Sequence, residues 1–420
     1  MRPVVGFALS PRTADHELSR HVSRNYAAAF DRLGYDSIFV PVGRDAPEGL
    51  GALIRSEARI LFSHGGWLMS PRRGALLSRL GLRDSTTRQA LTEAGKPVMA
   101  LIADDPFMHW QRDIFANLPS RAGVFFIDPS FIRGIEHWVP SGCTDTVLPC
   151  GYLLDGHGPA PTAEKDIDLL FVGSLRDPDE FLRQARADTA AWELASGLIE
   201  RGLDDHATPL TVHADALRPA RDGRADLDDP MVRRALQHAN GYIRARWRHA
   251  MAVRLALLPA TIVTDRMPAV AGAHPRLQVL PPCPFPEMLR LFRRSRACFV
   301  SQPPFPGAVN ERLIFCWQAR CVPVTTPNPR TRQMFEHGRE LLFVRTDLED
   351  LEEQAAQALD EAVAEPIRER ALEYVYARHT PDGNVRRMLQ TMRAHGLLED
   401  DLPIPPGPSL EVPPTPAWRI

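Results

Sequence analysis

One predicted helix N-terminus in the second half of the chain carries residues that suit the binding of an anion. A short apolar run at residues 297–300 predicts a buried parallel strand. A turn-forming loop follows, and Asn310 is a good N-cap residue for a helix with Glu311 and Arg312 in its first turn. The free N–H groups and the dipole of such a turn favour an anion such as a diphosphate. Glu311 could instead serve only the helix N-terminus, and Arg312 could form a surface ion pair.

Other residues that suit a diphosphate follow further predicted strands. Gly173 and Ser174 end one strand much as phosphate-contacting loops do, and Arg176 comes shortly after them. Arg266 follows the predicted strand at 261–265. Arginine fits a diphosphate because its charge is fixed and its N–H donors form a fork. We therefore expect these strand ends to contact the phosphate groups of a ligand.

The turn that contains Arg339 and Glu340 has two interpretations. Arg339 could contact a phosphate, and Glu340 could accept a hydrogen bond from a sugar or ribose hydroxyl. Alternatively, Arg339 only holds its loop and Glu340 is a structural cap.

Candidates for a general base lie at strand ends in the first half of the chain. His64 precedes two glycines after an apolar run, and Asp104 and Asp105 follow the run at 97–103. A base must lie within about 3 Å of the hydroxyl that it deprotonates, and each of these side chains has a suitable acceptor atom. The alternative is that His64 and Asp104 cap the turns or helices that follow them.

Length, charge and composition limit the class of protein. The 420 residues suggest two, or at most three, domains, and 44% hydrophobic residues suffice for ordinary cores. A formal net charge of -2 with dispersed arginines argues against general binding to nucleic acid. No apolar run is long enough for a membrane-spanning helix or a signal peptide, so we expect a cytoplasmic protein. The six cysteines have no metal-ligand spacing, and we expect no metal site.

The elements that must position these residues alternate between strands and helices. In the first half, predicted strands at 4–9, 37–42, 58–63, 97–103, 123–127 and 146–148 alternate with helical or turn-rich stretches. An amphipathic helix at 14–33 follows the first strand. The second half has strands at 166–172, 261–265, 277–280, 297–300 and 322–325, with a largely helical insert at 180–258. Such alternation predicts parallel sheets with helices on both faces.

Turn-rich and proline-rich segments suggest the domain boundaries. We predict an N-terminal domain at 1–155, a hinge at 156–165 and a C-terminal domain at 166–385. A helix at 386–402 then returns toward the N-terminal domain, and 403–420 form a proline-rich tail.

The order of motifs resembles one family. Gly-x-x-Asn-Glu-Arg at 307–312, an apolar helix, a strand and Phe-Glu-x-Gly-Arg-Glu at 335–340 are similar to the C-terminal domain of the CgeB-like (spore-maturation-type) GT-B glycosyltransferases. The segments 166–175, 104–107 and 126–131 resemble further strand ends of that family. The similarity extends, in patches, from about residue 95 to about residue 385.

The pattern departs from related retaining enzymes at two places. Those enzymes usually carry two glutamates eight positions apart, and Gly307 and Phe315 stand at the corresponding positions here. Glu311 is the acid that remains, one helical turn before Phe315. A member that lacks both glutamates could be an active enzyme or an inactive descendant.

The resemblance implies a GT-B fold, in which two doubly wound Rossmann-like domains face each other across a cleft. It implies transfer of a hexose-type sugar from a nucleotide-diphosphate donor, with UDP as the first expectation, to a glycan, protein or small-molecule acceptor. The Rossmann-like domain at 1–155 would bind the acceptor, and the domain at 166–385 would bind the nucleotide-sugar. In this fold the leaving diphosphate needs no metal or other cofactor, and the loop at 283–285 resembles the one that stacks on the nucleotide base. The alternatives are a non-catalytic glycosyltransferase-like subunit that binds a partner or glycan, and a GT-B-like epimerase. The oligomeric state is not predicted.

Overall fold

The computed structural model describes residues 1–9, 17–42, 48–69, 87–150, 165–220, 222–302 and 306–407. These residues form two compact units, of which the first combines Met1–Tyr152 with Thr380–Val412 and the second contains Leu153–His379. The predicted hinge lies outside the described residues except for Lys165, and so does the predicted tail beyond residue 407.

The first unit is built on a parallel sheet. Its described strands are β1 (Val4–Leu9), β2 (Asp36–Pro41), β3 (Ile60–His64), β4 (Val98–Ile102), β5 (Ala122–Phe126) and β6 (Thr144–Thr146). They lie in the order β2-β1-β3-β4-β5-β6, and each neighbouring pair is parallel. The described helices are α1 (Glu17–Arg32), α2 (Gly49–Arg55), α3 (Thr87–Glu93) and α4 (His109–Ala116), with 3-10 turns at Trp67–Met69, Pro129–Phe131 and Glu136–Trp138. All the strands predicted in this half are confirmed, with ends that differ by a few residues.

Aromatic packing holds α1 on the sheet. Val22, Tyr26 and Phe30 recur along the helix at helical spacing and are buried. The ring of Tyr26 stacks on Phe62 with centroids 5.0 Å apart, and Phe30 meets Phe7 edge to face at 5.9 Å. Because the central strands are buried along their whole length, their side chains are almost entirely apolar.

The last helix among the described residues also belongs to the first unit. Helix α14 (Pro381–Ala394) carries Asn384, whose buried amide donates to the Tyr26 hydroxyl at 2.9 Å and to the Leu148 carbonyl at 2.7 Å. Arg387 on the same helix donates to Asp145 at 2.6 Å. The second unit therefore ends at His379, earlier than the predicted boundary at residue 385, because these contacts keep α14 in the first unit.

The second unit has a parallel sheet of its own. Its described strands are β7 (Ile167–Val172), β8 (Ala260–Val263), β9 (Gln278–Leu280), β10 (Ser295–Val300), β11 (Val322–Thr325) and β12 (Leu342–Phe343). They lie in the order β12-β11-β10-β7-β8-β9, again with parallel neighbours. Leu169, Phe171 and Phe299 from the sheet share one apolar core with Met251 and Leu255 of a long helix.

Nine helices are described in this unit. They are α5 (Pro178–Ala187), α6 (Trp192–Asp204), α7 (Leu210–Leu217), α8 (Pro230–Leu255), α9 (Phe285–Arg294), α10 (Glu311–Gln318), α11 (Pro329–Met334), α12 (Leu351–Leu359) and α13 (Glu361–Arg378). The predicted helical insert corresponds to α5–α8. The acidic stretch at 347–363 predicts one helix. Asp360 is extended and caps α13 by accepting the Ala362 N–H, so that helix ends at Leu359 and the prediction is wrong.

The strand order determines where a ligand is expected. In the second sheet, β8 lies on one side of β7 and β10 on the other, so the loops after β7 and β10 diverge from each other. Ligands of open α/β sheets bind at such a switch point, outside the carboxyl ends of the strands. By the same rule, a ligand of the first sheet is expected at the switch point between the carboxyl ends of β1 and β3.

Candidate functional site

An arginine cluster occupies the switch point of the second sheet. Burial, together with repulsion from Arg244, Arg312 and Arg176, lowers the pKa of Arg248 to about 9. Asp265 opposes this shift. Arg176 comes from the loop after β7, Arg312 from the first turn of α10, and the other two from α8. The charges of Arg176, Arg244 and Arg312 thus all lie near enough to Arg248 to repel its guanidinium, and we call these four residues the arginine cluster.

The arginine cluster keeps its charge at neutral pH. A pKa of about 9 for Arg248 still lies above 7, so the guanidinium remains protonated. Like charges this close repel each other unless an anion screens them. The arrangement can therefore bind an anion with several negative oxygen atoms, such as a diphosphate.

The turn that carries Arg312 is rigidly held. The predicted N-cap is confirmed, because the Asn310 side chain accepts the Arg312 N–H at 2.9 Å. Its amide also donates to the Ser301 carbonyl at 3.0 Å, which ties the turn to the end of β10. Asn328 donates to the Ala308 carbonyl at 2.8 Å from the next loop. The N–H groups of the first turn of α10 are consequently held in one orientation at the carboxyl edge of the sheet.

Phe315 packs into the protein core. It is 2% exposed and lies edge to face with Phe285 at 5.6 Å and with Phe292 at 6.0 Å. Both partners belong to α9, so the aromatic residue joins α9 to α10. The position where related enzymes usually have a second glutamate therefore serves packing here. Glu311, one turn earlier, is half-buried.

Arg339 and Glu340 make contacts within their own turn. Arg339 pairs with Glu336 and with Glu340, each at 3.2 Å. The Glu340 carboxylate accepts the Glu336 N–H at 2.9 Å, and its carbonyl accepts the Trp317 indole N–H at 2.6 Å. These contacts match the structural interpretation of the two residues. Arg266 lies exposed in the loop after β8.

In the first unit, His64 lies at the carboxyl end of β3, next to the β1–β3 switch point. Its Nδ1 is 3.0 Å from the Ser19 hydroxyl of α1, and burial lowers its pKa to about 4. The imidazole is therefore neutral at pH 7. Gly66 has a φ of 73°, and a Cβ there would lie 2.6 Å from the Ile114 side chain, so no larger residue fits beside His64 without movement.

The two aspartates after β4 differ in exposure. Asp104 is exposed, whereas Asp105 is buried and accepts the Phe107 N–H at 2.9 Å. The Asp105 contact closes a local turn, as short polar side chains often do. β4 is the neighbour of β3 in the sheet, so Asp104 and His64 lie at the same edge.

Sequence reasoning missed Arg244, Arg248 and Asp265. The two arginines are four residues apart on α8, and this spacing places them on one helix face. That spacing is the available signal, but it fits a helix that packs within the insert equally well. Nothing in the sequence shows that its last turns reach the end of β7.

Two further findings concern the described residues alone. Three or more His, Cys, Asp or Glu side chains nowhere converge as a metal-ligand set within the described ranges. Among the helices that the structure describes, none has both the length and the apolar character needed to cross a bilayer.

Comparison with known proteins gives two kinds of match. Residues 246–390 match a family model described as "Glycosyl transferase-like". An alpha-glucosyltransferase in complex with UDP has a TM-score of 0.55 and 10% identity, over 94% of this chain and 100% of its own. The alpha-glucosyltransferase in complex with UDP and a 13-mer DNA containing a HMU base has a TM-score of 0.52 and 10% identity, over 93% and 99%. No curated protein sequence matches the chain significantly. The fold is that of the GT-B glycosyltransferases, as the sequence predicted.

Proposed function

We propose that the protein is a glycosyltransferase that takes a sugar from a nucleotide-diphosphate donor, with a UDP-sugar as the first candidate. The observation that carries the proposal is the convergence of Arg176, Arg248 and Arg312 at the switch point of the second sheet. A match to a glycosyl transferase-like family over residues 246–390 includes two of these three arginines.

The arginine cluster suits the departure of a nucleoside diphosphate. When the bond between the anomeric carbon and the diphosphate oxygen breaks, its electron pair stays on that oxygen and the leaving group gains negative charge. Guanidinium groups and the N–H groups at the start of α10 stabilise charge that develops there. Because the arginines already lie together, little reorganisation accompanies the reaction.

We assign acceptor binding to the carboxyl edge of the first sheet. A neutral His64 has a free electron pair on one ring nitrogen and can accept a proton from an acceptor hydroxyl, whereas a protonated histidine cannot. Asp104 is the second candidate at this edge, because its side chain is exposed and can reach an acceptor. Glu311 is assigned to the donor side, in the first turn of α10.

The acceptor proposal follows the charge of the chain. One of the similar structures contains DNA, but this chain has a formal net charge of -2, which gives it no general attraction for nucleic acid. We therefore propose a glycan, protein or small-molecule acceptor, and an enzyme of the CgeB-like type that works in the cytoplasm without a metal.

A non-catalytic glycosyltransferase-like subunit is the second candidate. Phe315 is buried between two phenylalanines and Gly307 has no side chain, so neither of the usual glutamates is present. A protein that retains the fold but has lost the reaction would show the same substitutions.

Thermal unfolding with a panel of nucleotides tests the proposal. UDP, GDP, ADP, CMP and dTDP are each added to the full chain, because a ligand that binds only the folded state raises its melting temperature. We expect a rise with a nucleoside diphosphate that is lost in Arg248→Met and Arg312→Met. Arg246→Met is the matched control, since Arg246 lies on the same helix but is exposed and outside the cluster.

The result also decides between the two candidates. A rise with UDP, together with release of UDP from UDP-glucose that is lost in Glu311→Ala, supports the enzyme. Binding without any turnover of a panel of UDP-sugars supports the non-catalytic subunit. The absence of a response to every nucleotide would refute the donor site.

A further inference from the structure

The peptide group between Ser174 and Leu175, beside the arginine cluster, is hydrogen-bonded through both its carbonyl and its N–H. The carbonyl of Ser174 accepts a hydrogen bond from the Arg248 guanidinium at 3.3 Å. The N–H of Leu175, which belongs to the same peptide group, donates to the Asp265 carboxylate at 3.1 Å. The orientation of this peptide is therefore determined by one member of the cluster and by one carboxylate.

The pairing of the strands brings Asp265 to this place. β7 and β8 are parallel neighbours in which Val172 pairs with Val263, and the Gly173 N–H donates to the Val263 carbonyl at 3.1 Å. Asp265 thus comes two residues after the last pair of the ladder. The Thr264 hydroxyl lies 3.2 Å from the same carboxylate oxygen that accepts the Leu175 N–H, which further orients the side chain.

A carboxylate is unexpected at a site for a diphosphate. Its negative charge attracts Arg248 but repels the phosphate oxygens, so charge alone would make anion binding weaker. A contribution in favour of binding must come from its hydrogen bond. That bond fixes the residue immediately before Arg176, and the peptide it orients is the one that contacts Arg248.

We propose that Asp265 is a positioning residue for the donor diphosphate. It holds the peptide between Ser174 and Leu175 so that Arg176 and Arg248 point toward the same anion. This inference rests on the proposed donor site. The hydrogen bond of Asp265 should strengthen nucleotide binding, whereas its negative charge alone would weaken it.

Two substitutions separate the hydrogen bond from the charge. Asp265→Asn keeps an oxygen that can accept the Leu175 N–H and removes the negative charge. Asp265→Ala removes both. The affinity of the full chain for UDP is measured by calorimetric titration, with thermal unfolding of each variant to establish that it is folded. Asp166→Ala is the matched control, since it removes an exposed carboxylate that pairs with Arg294 at the opposite edge of the same sheet.

We expect Asp265→Ala to weaken UDP binding roughly tenfold, the effect of losing one hydrogen bond to a charged group. Asp265→Asn should bind UDP at least as tightly as the unaltered protein. The control should change the affinity less than about twofold, because surface charges contribute little. Thr264→Val, which removes the hydroxyl that orients the carboxylate, should weaken binding about threefold and serves as the test if Asp265→Ala does not fold.

Three results would overturn the proposal. If Asp265→Ala and Asp265→Asn both bind UDP at least as tightly as the unaltered protein, the carboxylate acts only through its charge. If Asp265→Asn and Asp265→Ala weaken UDP binding equally, the side-chain oxygen that accepts the Leu175 N–H has no role in binding. If the unaltered protein does not bind UDP or another nucleoside diphosphate, the donor site itself is refuted, which is a different failure from the first two.

Discussion

Replacing Arg248 by methionine should stabilise the ligand-free protein and abolish its response to UDP. The guanidinium is half-buried beside three other arginines, and its pKa is lowered to about 9. An ordinary arginine has a pKa of about 12.5, and each pKa unit corresponds to about 1.4 kcal/mol. Keeping this side chain charged when no anion is bound therefore destabilises the folded protein by up to about 5 kcal/mol.

Methionine recovers only part of this free energy. It fits along much of the arginine stem, but it leaves the Ser174 carbonyl without its Arg248 partner, which costs about 1–3 kcal/mol. We expect a net gain of about 1–3 kcal/mol in the free energy of unfolding. For a domain of this size, that raises the melting temperature by about 3–8 °C.

The pH dependence follows from the sign of the shift. Because the folded state lowers the pKa of this cation, the destabilisation is fully present below pH 9 and decreases as the pH rises above about 9. The difference in stability between Arg248→Met and the unaltered protein should therefore be the same at pH 6 and at pH 8.

Thermal unfolding by circular dichroism, with and without UDP, measures both effects. Arg246→Met, on the exposed side of the same helix, should change the melting temperature by less than about 1 °C and leave the UDP response intact. The reasoning is refuted if Arg248→Met lowers the melting temperature of the ligand-free protein, or if it still gains stability from UDP.

Three further predictions concern stability. Burial lowers the pKa of His64 to about 4, so the unaltered protein should lose up to about 3 kcal/mol as the pH falls from 6.5 to 4, and His64→Gln should remove that part of the pH dependence in urea titrations. Asn384→Ala, which removes the buried amide that joins α14 to Tyr26, should cost about 2–4 kcal/mol in urea denaturation, whereas the exposed Gln390→Ala should cost less than about 0.5. Phe315→Glu places a carboxylate between two phenylalanines, so the second unit should unfold at a markedly lower temperature and the substitution should not create activity. An unchanged melting temperature would contradict the packing role of this residue.

Local patterns in the sequence determined most of the secondary structure. The apolar runs of the buried strands and the stripe of Val22, Tyr26 and Phe30 are properties of short segments, and a short segment is enough to predict them. The N-cap at Asn310 is of the same kind, because its hydrogen bond joins residues only two apart. Where a single residue interrupted a long pattern, as Asp360 does between α12 and α13, the prediction failed because helical periodicity continues across the break.

Only the tertiary structure determines which charged side chains lie near one another. Arg176, Arg248, Asp265 and Arg312 lie far apart in the chain, and they come together because β8 and β10 pair with opposite sides of β7. Strand order depends on long-range pairing, which no local pattern encodes. The same holds for Phe315, whose position in the motif suggested a ligand contact while its neighbours in space are the aromatic rings of α9. The sequence by itself therefore determined the elements and the kinds of residue at their ends, and the pairing of the strands determined the site.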